Sequence, residues 1–255
     1  VLNRVIEKAF RGSAPAQINV PRDYWTQVID IELPPIVRFE RQGGGKEAIE
    51  NAAKLLSKAK FPVILSGAGV VLGGAIDECK KLAEKLDAPV CNGYQHNDSF
   101  PGSHPLAVGP LGYNGSKAAM ELISKADVVL ALGTRLNPFS TLPGYGIDYW
   151  PKKATIIQVD MNPDRIGLTK KVSVGICGDA KQVAQQILDK LSSDAGNTGR
   201  EERKNLIHKT KSAWLQTLSG LDHEEDDPGT VWNKEARERD KDRMSPRQAW
   251  RAIQD

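Results

Sequence analysis

The chain has 255 residues, of which 40% are hydrophobic, so it is long enough to bury a substantial core in one or two domains. Its 35 basic and 32 acidic residues leave a net charge of +3, which gives no basic field of the kind that nucleic-acid-binding proteins present. Three widely spaced cysteines, and the absence of a signal peptide or a spanning apolar run, favour a cytoplasmic protein with no disulfide framework and no membrane contact.

The first 45 residues predict a helix, a short strand and a linker. Apolar residues at helical spacing indicate a helix that stops at Gly12, and residues 16–20 predict a short strand that Pro21 closes. From residue 24 to residue 45, two adjacent prolines and three consecutive glycines interrupt any regular element. We therefore place a domain boundary in this linker.

Residues 46–195 alternate between predicted helices and predicted strands. The helices are expected at 46–60, 75–86, 116–124 and 179–191, and the strands at 62–67, 88–91, 126–132, 155–160 and 172–176. Three of these strands are apolar without alternation, which is typical of parallel strands buried on both faces. The pattern predicts an α/β fold, a doubly wound parallel sheet with helices on both faces and a Rossmann-like architecture.

The remaining stretches are predicted to be irregular or exposed. Residues 92–114 are rich in glycine and proline, and we interpret them as a long surface loop. The composition changes after Ser192, where an acidic run at 222–227 and a densely charged stretch at 234–243 indicate solvated linker or exposed helix. Residues 244–255 predict the capped start of another helix.

A glycine turn, Gly67-Ala68-Gly69, follows the first predicted strand of the sheet and precedes a helix. In that context backbone N–H groups and a helix N-terminus can face a phosphate. The spacing does not fit the dinucleotide fingerprint, because Leu72 stands where the third glycine is required. Cys91 and Asn92 also replace the acidic residue expected after the second strand. A diphosphate site of another geometry and a plain tight turn both stay open.

Two further strands end in residues that could face a ligand. Thr134 and Arg135 follow the strand at 126–132, where Arg135 can stack on an adenine or flavin plane, pair with phosphate, or bind loop carbonyls. Asp160 can accept a hydrogen bond from a ribose hydroxyl or cap its turn through Asn162. The candidate cofactor-binding residues are Gly67, Gly69, Thr134, Arg135 and Asp160.

The sequence offers no pattern for metal or hydrolase chemistry. Gly178-Asp179 followed by Asn205 resembles a spacing that holds Mg²⁺ on a diphosphate, but Ala180 replaces the third glycine and Asp179 is a ready helix N-cap. His96 and His104 share one loop, where solvated histidines are commoner than metal ligands. We expect neither a metal site nor catalytic residues in this chain.

Several segments resemble a known family: residues 12–23, 66–69, 104–106, 133–135 and 159–163. Taken together with the proline-containing linker, they resemble thiamine-diphosphate-dependent enzymes of the acetohydroxyacid synthase type. Within that superfamily, residues 109–119, 148–152 and 173–179 are similar to the acetyltransferases that act on sulfoacetaldehyde. The superfamily likeness covers most of residues 1–195.

The resemblance implies three α/β domains in a longer protein. On this view the chain holds the end of the pyrimidine-binding domain (1–23), a linker (24–45), the whole middle domain (46–195), a charged linker (196–243) and the start of the diphosphate-binding domain (244–255). Two family features are missing, namely the glutamate that activates the aminopyrimidine and the GDG...N motif that holds Mg²⁺ and diphosphate. We therefore expect this chain alone to be inactive.

For the longer protein, the resemblance implies a small-molecule substrate, thiamine diphosphate and Mg²⁺ as cofactors, and a homodimer or homotetramer. It implies conversion of sulfoacetaldehyde and phosphate into acetyl phosphate and sulfite. In some relatives the middle domain binds ADP or FAD at positions that match Gly67, Gly69, Thr134, Arg135 and Asp160.

Two rival hypotheses remain. One is a non-catalytic domain that is structural or binds a nucleotide such as ADP, FAD or CoA. The other is an NAD-dependent deacylase, which would need a catalytic His-Gly after an Asn-x-Asp segment and a zinc tetrad, and the sequence contains neither.

Overall fold

A computed structural model of the protein describes residues 1–12, 14–32, 35, 40–220 and 253. The chain forms two compact units, Val1–Ile207 and His208–Asp255, and the described residues of the second unit are 208–220, which are helical, and Ile253. The acidic run at 222–227, the charged stretch at 234–243 and, apart from Ile253, the segment 244–255 lie outside the described residues.

Six parallel strands form the centre of the first unit. They are β1 (Pro62–Ser66), β2 (Val90–Asn92), β3 (Ala107–Pro110), β4 (Val128–Leu132), β5 (Thr155–Asp160) and β6 (Val174–Cys177). Their order in the sheet is β3-β2-β1-β4-β5-β6, and every neighbouring pair is parallel. This is the doubly wound order, in which the winding reverses between β1 and β4. The predicted α/β fold is confirmed.

Helices cover the sheet, so its central strands are buried at every position. The helices are α1 (Leu2–Gly12), α2 (Lys46–Lys58), α3 (Ala68–Gly73), α4 (Ile76–Leu86), α5 (Lys117–Ile123), α6 (Ala180–Lys190) and α7 (Arg200–Gly220). In α2, α4 and α6, one apolar stripe faces the core. None of the helices in the described part of the chain combines the length and apolar character needed to cross a bilayer.

Polar side chains fix the ends of several elements. Asp179 is the N-cap of α6, as the sequence predicts, and accepts from the amides of Lys181 and Gln182, while Ser116 is the N-cap of α5 and accepts from the amide of Ala119. Asp127 precedes β4 and accepts from the amides of Lys60 and Phe61 at 2.7 and 2.9 Å. This contact ties the entry of β4 to the entry of β1, which explains an acidic residue at the head of an apolar run.

Two predictions about elements are wrong. Residues 16–20 lie outside any helix or strand and are exposed, because no strand in the described chain pairs with them. Residues 107–110 form β3, inside the segment interpreted as a long loop. β3 contains Gly109 and Pro110, which normally argue against a strand, and both are tolerated because β3 lies at the edge of the sheet. The segment 196–243, which the sequence predicts to be a charged linker, contains the helix α7 among its described residues.

Arg203 anchors the start of α7 within the first unit. Its side chain is buried, with 1% of the residue exposed, and its guanidinium donates five hydrogen bonds to backbone carbonyls. The acceptors are the carbonyl oxygens of Lys60, Leu86, Asp87, Gly196 and Thr198, at 2.5–2.9 Å. Every N–H of the guanidinium is therefore satisfied by the protein itself.

The three cysteines are free thiols, two of which are buried. Cys79 and Cys91 lie in the core, whereas Cys177 is partly exposed. Burial raises the pKa of Cys79 to about 12 and also raises the pKa of Cys91, so both thiols stay protonated at neutral pH.

Candidate functional site

A cleft of about 680 Å³ opens at the carboxyl edge of the sheet. The segments that follow β1, β2, β4, β5 and β6 all line it, together with residues from α1 and the turn after it. The cleft includes the point where the winding of the sheet reverses, which is where doubly wound folds bind ligands. It brings together all the candidate residues from the sequence, namely Gly67, Gly69, Thr134, Arg135 and Asp160.

Gly67 and Gly69 allow the turn after β1 to touch the turn after β4. The amide of Gly69 donates to the carbonyl oxygen of Gly133 at 2.8 Å, and a Cβ on Gly69 would lie 2.7 Å from the Cα of Gly133. A Cβ on Gly67 would lie 2.5 Å from the Cβ of Thr134. The turn is therefore used for close backbone packing, and the amide of Gly69 is not available to a phosphate.

Thr134 and Arg135 have different environments. Thr134 is buried, and its Oγ1 accepts from the amide of Leu136 at 3.2 Å, which closes the turn after β4. Arg135 is exposed at the cleft, and its guanidinium makes no hydrogen bond or ion pair with the described residues. Arg135 is thus not held by loop carbonyls, which was one of the interpretations that the sequence leaves open.

Asp160 caps its own turn at the end of β5. Its Oδ1 accepts from the amide of Asn162 at 2.9 Å, and Oδ1 of Asn162 accepts from the amide of Asp164 at 2.9 Å. These are the side-chain to backbone bonds of Asx turns. The second carboxylate oxygen of Asp160 takes no hydrogen bond within the described part of the chain, so a ligand hydroxyl could still bind there.

Gln158 does not line the cleft but supports two turns that do, and the sequence gives no prediction for it. It lies on β5 with 1% of its surface exposed, and its Nε2 donates to the carbonyl oxygens of Thr134 and Arg165, both at 3.1 Å. Its Oε1 accepts from the amide of Gly167 at 2.9 Å. One buried side chain thus joins the turns that follow β4 and β5. The sequence does carry one indication of this role, namely a glutamine within an otherwise apolar strand. A buried side-chain amide requires hydrogen-bond partners, so such a residue is expected to bind nearby polar groups.

A buried polar network holds the loop after β2 at the cleft. Oγ of Ser99 donates to the carbonyl oxygen of His96 at 2.8 Å and accepts from Nδ2 of Asn92 at 3.0 Å. Oγ of Ser66 donates to the carbonyl oxygen of Ser99 at 3.1 Å. Asn92 stands where a dinucleotide-binding fold has an acidic residue, and here its side chain is bound within the protein.

Among the described residues, no three His, Cys, Asp or Glu side chains lie close enough together to hold a metal ion. Asp179 caps α6 with Oδ1, and its Oδ2 pairs with the guanidinium of Arg41 at 2.9 Å. Nε2 of His104 faces a carboxylate oxygen of Glu84 at 3.3 Å, whereas the ring of His96 lies 3.9 Å from Asp98. The two loop histidines therefore have separate acidic neighbours.

Comparison with known proteins places this sheet in a family. Residues 49–187 match the model described as thiamine pyrophosphate enzyme, central domain. A probable sulfoacetaldehyde acetyltransferase from Rhizobium meliloti (strain 1021) is 79% identical over 254 residues, which are 100% of this chain and 43% of that protein. A sulfoacetaldehyde acetyltransferase from Roseovarius nubinhibens is 76% identical over 100% of this chain and 42% of that protein. The chain thus spans less than half the length of these relatives.

More distant proteins agree with this assignment. A probable acetolactate synthase large subunit from Methanocaldococcus jannaschii is 35% identical over 81% of this chain and 34% of that protein. The crystal structure of benzoylformate decarboxylase from Polynucleobacter necessarius has a TM-score of 0.56 at 23% identity, over 70% of this chain and 33% of that one, and supports the fold alone. Since the family match runs from α2 to α6 and includes every strand of the sheet, the chain belongs to the thiamine pyrophosphate enzymes and contains their central domain.

Proposed function

We propose that this chain is the central part of a longer thiamine-diphosphate-dependent acetyltransferase, which converts sulfoacetaldehyde and phosphate into acetyl phosphate and sulfite. The observation that carries the proposal is the identity of 79% and 76%, over the whole chain, to proteins named for that activity. In this reaction the aldehyde C–H bond gives up its hydrogen as a proton, and the electron pair left behind expels sulfite, which takes both electrons of the C–S bond. The methylene carbon gains a proton and becomes a methyl group, and a C–O bond forms between the former aldehyde carbon and a phosphate oxygen.

The described residues do not fit thiamine diphosphate or its Mg²⁺. They contain no cluster of acidic or histidine ligands, and the one aspartate in a suggestive motif, Asp179, is engaged as a helix cap and in an ion pair. We infer that the residues that hold the cofactor lie outside the described part of this chain. The chain by itself is then inactive, and we assign no reaction step to its residues.

The test compares the full-length protein with the 255-residue chain. With thiamine diphosphate, Mg²⁺, sulfoacetaldehyde and phosphate, the full-length protein should release sulfite and acetyl phosphate in equal amounts, measured by thiol-reagent assay and phosphorus NMR. The chain alone should release neither. Acetyl phosphate formation by the chain alone, or formation of acetolactate but no sulfite by the full-length protein, would reject the proposal. We also propose that the full-length enzyme is cytoplasmic and forms a homodimer or homotetramer. Light scattering on the same sample measures its molar mass and so tests the oligomeric state.

A second function is supported by the cleft, namely binding of a nucleotide such as ADP or FAD in the middle domain. The observation that favours it is that one cleft holds both the guanidinium of Arg135, which has no partner among the described residues, and the carboxylate of Asp160, which has one oxygen free of hydrogen bonds within the described chain. A ligand at about 100 times its Kd stabilises a folded protein by about 2.7 kcal/mol. Thermal unfolding of the full-length protein with ADP, FAD and CoA should therefore show a higher Tm for the nucleotide that binds, and no shift with any of them would exclude this function.

A further inference from the structure

We propose that the end of the linker is a conformational latch. Residues 41–44, here called the strap, lie across the rim of the cleft and open as a local unit, and the ion pair between Arg41 and Asp179 holds the strap shut. The three consecutive glycines at 43–45 are typical of a flexible tether. The contacts of the strap show that this tether is instead docked on the domain that follows it. The latch does not depend on the activity proposed for the longer protein.

Arg41 bridges two helix ends. Its Nη1 donates to the carbonyl oxygen of Gly73, the last residue of α3, at 3.1 Å, and to Oδ2 of Asp179, the N-cap of α6, at 2.9 Å. Arg41 and Gly73 both line the cleft, so this bridge lies at the rim of the cleft. The side chain of Asp179 is 1% exposed, and a charge-assisted hydrogen bond to a buried carboxylate is stronger than one between two exposed groups. This bond is therefore the tie best able to hold the strap.

Two further hydrogen bonds fix the backbone of the strap. The amide of Asp179 donates to the carbonyl oxygen of Gln42 at 2.8 Å. Nε2 of Gln186 donates to the carbonyl oxygen of Gly43 at 2.9 Å. Both donors belong to α6 or to its cap, so the strap is fastened along one helix.

Glycines are required where the strap meets the domain. Gly44 has a φ of +81°, and a Cβ there would lie 2.6 Å from Cγ2 of Ile176. A Cβ on Gly178 would lie 2.9 Å from the amide nitrogen of Gly44 and 3.1 Å from the carbonyl oxygen of Gln42. These glycines allow two backbone segments to approach each other closely, which a flexible tether would not require.

Few contacts resist a local opening of the strap. None of residues 41–44 is buried, so opening breaks hydrogen bonds but exposes little apolar surface. Oδ1 of Asp179 accepts from the amides of Lys181 and Gln182, and because these bonds do not involve the strap, α6 stays capped when the strap leaves. Opening therefore frees the linker and the rim of the cleft without unfolding the domain.

The test is cleavage of the full-length protein by trypsin at the bond between Arg41 and Gln42. Trypsin must take up the side chain of Arg41, which the closed strap holds in its bridge. When opening and reclosing are faster than cleavage, the cleavage rate reports the fraction of open strap. A synthetic peptide of residues 36–46 gives the rate for an unprotected bond. The protein should be cleaved at least about 10-fold more slowly than the peptide.

Asp179→Asn tests the ion pair and leaves Arg41 in place for trypsin. Asparagine can still cap α6 through its side-chain oxygen, but it turns an NH2 group towards the guanidinium, which has no lone pair to accept from it. This variant should raise the cleavage rate at the bond after Arg41 about 5-fold to 30-fold.

Two neighbouring glutamines of α6 supply a second variant and its matched control. Gln186→Leu removes the hydrogen bond to Gly43 and should raise the cleavage rate after Arg41 about 2-fold to 10-fold. Gln185 is exposed on the same helix and donates to Asp189, so Gln185→Leu should leave that rate unchanged.

Cleavage after Lys81, at an exposed position of α4, reports unfolding of the domain as a whole and should not change in any variant. Equal increases after Lys81 and after Arg41 would mean general destabilisation and would overturn the latch. Cleavage of the unsubstituted protein as fast as the peptide, or no increase in either Asp179→Asn or Gln186→Leu, would overturn it as well. An increase in Gln186→Leu alone would overturn the role of the ion pair.

Discussion

The amide of Gly69 donates to the carbonyl oxygen of Gly133 at 2.8 Å, so the start of α3 rests directly on the backbone of the turn after β4. Gly133 has a φ of +61°, in the left-handed region that favours glycine. This contact lies where the winding of the sheet reverses. It explains why glycines are required at two places that are far apart in the sequence, and it shapes the cleft between β1 and β4.

Gly69→Ala should destabilise the fold. The new methyl group would lie 2.7 Å from the Cα of Gly133, and because that atom is backbone it cannot rotate away. Overpacking of this kind costs about 1–3 kcal/mol. Urea unfolding of the chain measures the loss, and Gly102→Ala is the matched control, because a Cβ there meets nothing within 4 Å. Equal stability of the two variants would contradict the packing role.

Arg203→Met should lower the free energy of unfolding by at least about 3 kcal/mol, because it leaves five carbonyl groups without their donor, and three of these hydrogen bonds are buried. Arg203→Lys should also destabilise the chain, since an ammonium group has three donors and cannot reproduce the planar fork. Lys204→Met, at an exposed position of the same helix, should change the stability by less than about 0.5 kcal/mol. Urea unfolding followed by circular dichroism compares all three variants.

Thiol reactivity should distinguish Cys177 from the other two cysteines. At pH 8 an aromatic disulfide reagent should react rapidly with Cys177, which is partly exposed, and only slowly with the buried Cys79 and Cys91. Cys177→Ser should remove the rapid phase, and denaturant should make the remaining thiols react at once. A rapid phase that survives in Cys177→Ser would show that the core opens readily.

Stability should fall at alkaline pH. The pKa of Cys79 is raised by burial from an ordinary value of about 9.0 to about 12, so the thiol ionises first in the unfolded chain. Its contribution is fully present below pH 9 and is lost as the pH rises towards 12, with a slope of up to about 1.36 kcal/mol per pH unit. Burial raises the pKa of Cys91 and of Tyr149 as well, so these groups act in the same direction.

Urea unfolding between pH 8 and pH 10.5 measures this slope. Cys79→Ala lowers the stability at every pH because it leaves a small cavity, so the slope is compared instead of the absolute value. The variant should show a shallower decline than the unsubstituted chain. An identical slope would mean that Cys79 ionises at the same pH in the folded and unfolded states.

The sequence predicts the sheet because a strand that is buried on both faces is recognisable from its own residues, as an unbroken apolar run. The unbroken apolar runs of β1 and β4 correspond to strands buried at every position, and the residues just after them line the cleft. The N-caps Ser116 and Asp179 are equally local, since each contacts amides within three residues. Parallel strands all present their carboxyl ends at one edge of the sheet, so the sequence alone places the candidate residues at the same edge.

Elements without a periodic signal could not be predicted. α3 has only six residues, and its apolar run is bounded by glycines, so it has no helical pattern long enough to recognise. β3 carries Gly109 and Pro110 and exists because β2 pairs with it. Residues 16–20 have the composition of a strand but lack a partner in the described chain.

The sequence by itself determined the kinds of element, the parallel character of the sheet and the edge at which the candidate residues stand. Only the tertiary structure decided which polar groups are already bound within the protein. Gln158 meets Thr134 across 24 residues, and Arg203 meets Leu86 across 117. Hydrophobic patterns repeat over a few residues and are readable locally, whereas a buried hydrogen bond joins groups that only the packed fold brings within hydrogen-bonding distance of each other.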